Sequence, residues 1–162
     1  MKVAIFTGIQ PRHLALVEAV SAVADEVLAV HECKTLFPGR VDDLYPASSV
    51  MADYFAHVDA AEQAAFGPPR FGPAGVRQLI LQRGDLNLLD ADVLAPALAA
   101  DVIIVFSGSF IRPPLVDRLI ERQAINIHMG VSPYFRGMSC NFWALHEGHP
   151  EYVGATIHRL SA

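Results

Sequence analysis

The sequence predicts an α/β fold, in which an open, mostly parallel sheet carries helices on both faces. Short apolar, β-branched runs alternate along the chain with longer segments whose apolar residues recur at helical spacing. The chain opens with a strand, a helix and a strand, and such a unit implies parallel strands with right-handed crossovers. This alternation is of Rossmann-like type, in which sites form beyond the carboxyl ends of the strands.

The first half of the chain starts with this unit and then becomes less regular. Residues 2–8, KVAIFTG, predict a buried strand that ends at glycine. Residues 11–24 predict a helix with proline in its first turn, and residues 25–32 predict a second strand. From residue 33 to residue 75 the pattern loosens, which suggests a loop or helix insertion within the domain.

Three parts of that loosened segment have different compositions. Residues 37–46, FPGRVDDLYP, indicate loop and turn. The run that follows predicts a helix that ends near Phe66 and is capped by Ser48 or Ser49. Residues 67–75, GPPRFGPAG, are too rich in proline and glycine for the interior of an element.

The second half of the chain returns to a regular alternation, in which DVIIVFSGSF is the strongest strand signal of the whole sequence. The run VRQLILQRG has helical spacing and predicts a helix that ends at Gly84. The later elements are a short helix interrupted or ended near Pro96, strand 101–110, helix 113–122, strand 124–128, helix 141–149 and strand 154–162.

Composition favours one globular domain over the other classes of protein. The chain has 162 residues, of which 52% are hydrophobic and 18% charged, so it can build a substantial core. Its net charge is −5 and its basic residues are scattered, which argues against a nucleic-acid partner. No apolar run reaches the ~18 residues of a membrane span, and the start lacks the features of a signal peptide, so we expect a cytoplasmic protein.

Several common site motifs are absent. There is no GxxxxGK[ST], the segment TGIQPRH after the first strand lacks GxGxxG, and no GxSxG is present. Arg12 and His13 at the start of the first helix could hold an anion, although a solvated helix start is the simpler interpretation. Cys33 and Cys140 lack the CxxC spacing, so two reduced thiols are expected.

The last third of the chain is rich in histidine and aromatic residues, but their spacing does not predict a metal site. No pair of histidines has the spacing of HExxH, and no acidic residue stands at a matching ligand position. Trp143 is expected to anchor the core beneath a site rather than to stack on a ligand. The four histidines concerned are His128, His146, His149 and His158.

The residues with the clearest chemistry are Asn126 and His128. They are two positions apart on a predicted strand, so their side chains face the same side and can meet in one crevice at its carboxyl end. An asparagine amide can stabilise a developing oxyanion, and a neutral histidine with a pKa of ~6.5 can transfer a proton. The pair suits acyl transfer to a nucleophile that the substrate supplies, and a structural role for the histidine is the simpler alternative.

A longer pattern around this pair resembles the folate-dependent formyltransferases. NIHMGVSPYFRG, residues 126–137, is similar to the family signature: an Asn-x-His strand end, then a loop closed by aromatic, basic and glycine residues. NFWALHEGHPEYVGATIHRL downstream and IIVFSGSFI upstream are similar to the same family. The resemblance covers residues 102–160, is topological over 1–30 and is absent over 31–75.

The resemblance implies a reaction and a set of site residues. The formyl donor would be 10-formyltetrahydrofolate and the acceptor a small-molecule primary amine, with no metal. Asn126 would hold the formyl oxygen as an oxyanion, and His128 would be the general acid and base. The backbone of Ser107, Gly108, Ser109, Phe110 and Ile111 would line the pterin pocket. The loop over the crevice would be shaped by Ser132, Pro133, Tyr134 and Gly137, with His158 near His128 on the neighbouring strand.

The acceptor follows only by elimination within the family. Glycinamide ribonucleotide needs a glycine-rich loop after the first strand, and initiator tRNA needs an additional basic domain; neither is present in this sequence. A nucleotide-linked amino sugar remains. The alternatives are a non-catalytic folate- or nucleotide-binding module and a hydrolase of the formyl donor. A homodimer and a lid role for residues 37–75 are left open.

The resemblance also implies a catalytic aspartate a short distance beyond His158. The sequence ends four residues after that histidine, at Ala162. We therefore expect residues 1–162 to form a single catalytic domain that is incomplete at its C-terminus and impaired in activity, because losing the residue that orients a catalytic histidine costs orders of magnitude in rate.

Overall fold

The computed structural model describes residues 1–34 and 49–161, and its centre is one six-stranded sheet of order β3-β2-β1-β4-β5-β6. The first five strands are parallel, and β6 runs antiparallel to β5. The strands are β1 Lys2–Thr7, β2 Glu26–Cys33, β3 Arg77–Gln82, β4 Val102–Phe106, β5 Ile125–His128 and β6 Thr156–Arg159. The helices are α1 Pro11–Ser21, α2 Ser49–Phe66, α3 Ala91–Leu98, α4 Leu115–Glu121 and α5 Cys140–His146.

Helices cover both faces of this sheet, which confirms the predicted Rossmann-like α/β fold. On one face, Val17 of α1 packs against the odd-numbered residues Val3 and Ile5 of β1. On the other face, Leu94 of α3 and Leu119 of α4 belong to a larger cluster. Because β1 and β2 are buried on both faces, their sequences are continuous apolar runs rather than alternating ones.

The run VRQLILQRG is a strand and not the helix that its spacing predicted. Its residues Arg77–Gln82 form β3, the parallel edge strand beside β2. Leu79 and Leu81 pack against the core, whereas Ile80 between them is 63% exposed. A short run of consecutive apolar residues fits the period of a helix as well as that of a strand. Pairing with β2 makes this run a strand. Gly84 has a φ of 101° and precedes a 3₁₀ helix, Asp85–Leu88.

The segment between β2 and β3 contains the predicted helix. This helix is α2, Ser49–Phe66, and a parallel pair of strands needs such a crossover. Ser48 and the predicted loop 37–46 lie outside the described residues. The short helix α3 passes Pro96 and ends at Leu98, two residues beyond the predicted interruption. Within the described ranges, no helix is long and apolar enough to cross a membrane.

Candidate active site

Asn126 and His128 lie on β5, at the carboxyl edge of the parallel part of the sheet. The antiparallel register places His158 opposite Asn126 and Thr156 opposite His128. Directly opposed residues share a face, so all four side chains project to the same side of β5 and β6. Asn126 and His128 are both half-buried, which leaves one side of each group accessible.

His158 fixes the orientation of the Asn126 carboxamide. Its Nδ1 lies 2.9 Å from the backbone oxygen of Arg159. Because a carbonyl oxygen only accepts hydrogen bonds, this contact assigns the proton to Nδ1 and a lone pair to Nε2. Asn126 Nδ2 then donates one of its two N–H groups to that Nε2 at 3.2 Å. The second N–H group remains available for another acceptor.

The imidazole of His128 is held from its Nε2 side. Nε2 lies 3.2 Å from the backbone oxygen of Phe135, so it carries the proton and donates to that oxygen. This tautomer leaves the lone pair on Nδ1, the atom that can accept a proton. The His128 and His158 ring centroids are 6.5 Å apart.

A cysteine that the sequence reasoning left without a role lies beside this histidine. Cys140 Sγ is 3.6 Å from His128 Nε2 and donates to the backbone oxygen of Gly137 at 3.5 Å. The thiol is buried, and burial raises its pKa. It is therefore a neutral packing group at the start of α5 and not an activated nucleophile.

Hydrogen bonds join the loop from Met129 to Gly137 to β6. Thr156 Oγ1 donates to the backbone oxygen of Gly130 at 2.7 Å and accepts from Ser132 N–H at 3.0 Å. A Cβ at Gly130 would lie 2.5 Å from the Cys140 Cβ, so only glycine fits there. Beyond this tie the loop reaches the surface, where Pro133 and Tyr134 are exposed and the Tyr134 ring stacks on Tyr152 with centroids 4.4 Å apart.

The second candidate loop, Ser107 to Ile111, follows β4 at the same edge of the sheet. Ser109 contacts Glu32, and Asn87 Nδ2 donates to the backbone oxygen of Phe110 at 3.0 Å. Phe110 itself is 82% exposed, whereas Ile111 packs against the core. Sequence reasoning missed Glu32, although an acidic residue that ends the apolar run of β2 is a signal that could have been used.

The start of α1 is neither solvated nor open to an external anion. Arg12 donates from its backbone N–H to Glu62 Oε1 at 3.1 Å and from its guanidinium to Glu62 Oε2 at 2.6 Å. The positive end of the helix therefore already holds a carboxylate from α2. His13 is buried, accepts a hydrogen bond from the Gln10 N–H, and meets the Phe106 ring edge-on.

The other two histidines of the last third of the chain and Trp143 lie on the surface. His146 and His149 are exposed, and His149 pairs with Glu151 at 3.1 Å. Across the part of the chain that the structure describes, no three potential ligands converge on a metal site. Trp143 is 47% exposed, so the prediction of a core anchor was wrong: α5 buries only the small residues Cys140 and Ala144.

The fold defines the class first: it is a Rossmann-like α/β domain, and the polar side chains of Asn126 and His128 lie at the carboxyl end of β5. The sequence model of the formyl transferase family matches residues 59–162, well over half of the chain, and the chain belongs to this family. The match begins upstream of Gly75, so the family pattern extends further than the sequence resemblance indicated, through the C-terminal part of α2 and all of β3.

Individual proteins that are similar to this chain include formyltransferases and a transformylase. A methionyl-tRNA formyltransferase of Synechococcus sp. (strain JA-3-3Ab) is 39% identical over 64 residues, which are 38% of this chain and 20% of the relative. The glycinamide ribonucleotide transformylase 1 of Symbiobacterium toebii has a TM-score of 0.56 at 16% identity, over 100% of this chain and 66% of that one. The phosphoribosylglycinamide formyltransferase of Anaplasma phagocytophilum has a TM-score of 0.54 at 15% identity, over 99% of this chain and 64% of that one.

These relatives differ in what they support. The two solved structures have low sequence identity and support the fold alone. The chain spans a fifth of the length of the methionyl-tRNA formyltransferase and slightly less than two thirds of these two structures.

Proposed function

We propose that this chain is the catalytic part of an enzyme that transfers a formyl group from 10-formyltetrahydrofolate to the primary amine of a small acceptor. The observation that carries the proposal is the geometry on β5 and β6. Asn126 keeps one free N–H group beside His158, and His128 keeps a free lone pair on Nδ1 two residues away. Membership of the formyl transferase family supports this assignment.

Each group has a defined task in this reaction. Formyl transfer joins the acceptor nitrogen to the formyl carbon and breaks the bond from that carbon to N10 of the folate. Asn126 donates its free N–H to the formyl oxygen while negative charge develops there. His128 accepts the proton that leaves the attacking amine at Nδ1 and returns it to the departing nitrogen. His158 acts through Asn126 by holding the carboxamide in place.

The two loops at this edge would hold the donor and cover the reacting groups. The backbone of Ser107 to Ile111 would receive the pterin ring, since this loop follows β4, the neighbour of β5. Ser132, Pro133, Tyr134 and Gly137 would form the cover, anchored to β6 through Thr156. The expected cytoplasmic location and the homodimer stay predictions.

A nucleotide-linked amino sugar remains our proposal for the acceptor, although the argument is still one of elimination. The position of Glu62 supports one step of it. A phosphate bound at the start of α1 would have to displace the Glu62 carboxylate from Arg12. An acceptor that places its phosphate there, as the first-strand loop of glycinamide ribonucleotide enzymes would require, is therefore disfavoured.

A non-catalytic folate-binding module is the second candidate. Among the described residues, His128 contacts the Phe135 carbonyl and the Cys140 thiol, and no carboxylate orients it. We therefore predict that residues 1–162 turn over slowly, by orders of magnitude less than a complete site would. Tight folate binding without turnover, even in a longer natural chain that supplies the aspartate, would select this candidate.

The test is an assay of formyl transfer from 10-formyltetrahydrofolate, with the formylated amine as product. We expect Asn126→Ala and His128→Ala to lower kcat by ~10² or more while thermal unfolding stays close to that of the wild type. The control is His146→Ala, an exposed histidine on α5. Equal rates for all three variants would overturn the proposal, and release of free formate without the amine would indicate a hydrolase instead.

A further inference from the structure

One acidic side chain at the carboxyl edge of the sheet has no task in the proposed reaction. Glu32 is 6% exposed and lies near the end of β2, one residue beyond the last pair of β2 with β1 at His31. Burying a carboxylate costs free energy unless hydrogen-bond donors replace its water. The donors that surround it therefore indicate what the carboxylate holds.

Three donors from two different loops converge on Glu32. Ser109 donates from its backbone N–H to Oε2 at 2.6 Å and from its hydroxyl to Oε1 at 2.8 Å. Gly84, in the turn after β3, donates its backbone N–H to Oε1 at 2.8 Å. Distances of this size are typical of strong, charge-assisted hydrogen bonds. Since β1 lies between β2 and β4, the contact with Ser109 reaches across the end of β1.

These contacts determine the path of the segment 107–111. Its backbone approaches Glu32 so closely that a Cβ at Gly108 would lie 3.2 Å from Oε2. Ser107 adopts a left-handed conformation with a φ of 57°, which is uncommon for a residue other than glycine. Asn87 fixes the other end, because its amide oxygen accepts from the Arg112 N–H at 2.8 Å.

We propose that Glu32 is a positioning residue for the formyl donor: its carboxylate holds the segment 107–111 in the conformation that receives the folate. The proposal rests on the proposed function, which assigns the pterin pocket to this segment. Glu32 faces Ser109 and Gly84 and acts through them, without contact to the donor. A loop that is ordered before binding loses less entropy when the ligand arrives, so the affinity is higher.

The first experiment compares folate binding by the wild type and Glu32→Gln. The glutamine keeps the size of the side chain but replaces one acceptor oxygen with an NH₂ group that faces N–H donors. We expect the affinity for 5-formyltetrahydrofolate, a stable isomer of the donor, to fall about tenfold, equivalent to about 1.4 kcal/mol. In turnover, KM for the donor should rise more than kcat falls. Glu121→Gln, an exposed carboxylate at the end of α4, is the matched control and should bind like the wild type.

A second variant and a second readout separate a positioning role from a general loss of structure. Ser109→Ala removes one of the three bonds, so we expect a smaller loss of affinity, about threefold, and no further loss when it is combined with Glu32→Gln. Amide hydrogen exchange of Glu32→Gln should be faster at Ser109 and Gly84, with β1 and β4 unchanged. If Glu32→Gln does not fold, Ser109→Ala decides the question, and wild-type affinity in that variant overturns the proposal.

The outcomes distinguish this proposal from the proposed function. A wild-type chain that binds no folate overturns both. A wild type that binds folate, together with a folded Glu32→Gln variant of equal affinity and equal Ser109 protection, overturns the role of Glu32 alone.

Discussion

At the scale of single residues, hydrogen-bond partners rather than residue types separate the histidines of this chain. His128 and His158 each donate to a backbone carbonyl and keep one free or amide-bound nitrogen. His13 and His31 lie at the same edge of the sheet but are buried, each with one ring nitrogen that has no hydrogen-bond partner. The first pair is half-buried and keeps polar atoms within reach of a ligand, as the proposed function requires, whereas the second pair is fully buried.

The buried His13 predicts a loss of stability in acid. Burial, with smaller contributions from Arg12 and His31, lowers its pKa from 6.5 to about 3. Between pH 6.5 and pH 3 the unfolded chain binds a proton at His13 that the folded chain does not bind. The contribution of the neutral His13 to stability is therefore complete above about pH 6.5 and is lost as the pH falls toward 3. The difference corresponds to a free energy on the order of 5 kcal/mol, at about 1.36 kcal/mol per pKa unit.

Urea denaturation at pH 7.5 and 4.5 measures this effect. In His13→Gln the free energy of unfolding should fall less between the two pH values than in the wild type. The variant should still lose some unfolding free energy between pH 7.5 and 4.5, because burial also lowers the pKa of His31. Parallel pH profiles for variant and wild type would show that His13 does not cause the acid sensitivity.

At the scale of elements, neighbours along the sheet decide what local pattern leaves open. β4 is largely buried and β5 is half-buried, and the sequence predicts both of these parallel strands. β3 is an edge strand whose apolar run fits a helix equally well, so only its pairing with β2 identifies it. Glu32 was missed for the same reason, since its partners Gly84 and Ser109 are distant in sequence. The placement of Asn126 and His128 on one face could be predicted because they share one strand.

The tie between β6 and the site loop gives a prediction at this scale. Thr156→Val keeps the shape of the side chain but removes the hydroxyl that bridges Gly130 and Ser132. We expect a loss of about 1–3 kcal/mol in unfolding free energy, because two part-buried backbone groups lose their partner. Hydrogen exchange at Ser132 should also become faster. Thr156→Ser keeps the hydroxyl, so its unfolding free energy should remain close to that of the wild type. An unchanged unfolding free energy in Thr156→Val would show that these two hydrogen bonds do not hold the loop.

At the scale of the whole molecule, two apolar clusters, one on each face of the sheet, support the strands whose carboxyl ends carry the candidate site. The layer under α3 and α4 is the larger, and Leu119 in it is fully buried. The sequence predicts both layers, since continuous apolar strands must be covered on two sides. It does not predict the antiparallel β6, because strand direction depends on the path of the loop between β5 and β6.

Leu119→Ala should therefore destabilise the whole fold. Removing a fully buried leucine side chain leaves a cavity and costs about 2–5 kcal/mol. Leu88→Ala is the matched control, because Leu88 is 82% exposed and its loss should change stability by no more than about 0.5 kcal/mol. Chemical denaturation of both variants provides the measurement. Equal midpoints would contradict the assignment of the core.

The close approach of Gly130 to α5 has a consequence for how sequences of this kind can diverge. A Cβ at position 130 would lie 2.5 Å from the Cβ of Cys140, and Cβ is common to every residue except glycine. Even glycine at position 140 would not make room for an alanine at position 130, because the added Cβ would also lie 3.1 Å from the Phe135 carbonyl oxygen and position 130 has a φ of 145°. Position 130 is therefore expected to remain glycine in every descendant that keeps this packing, whatever residue stands at position 140.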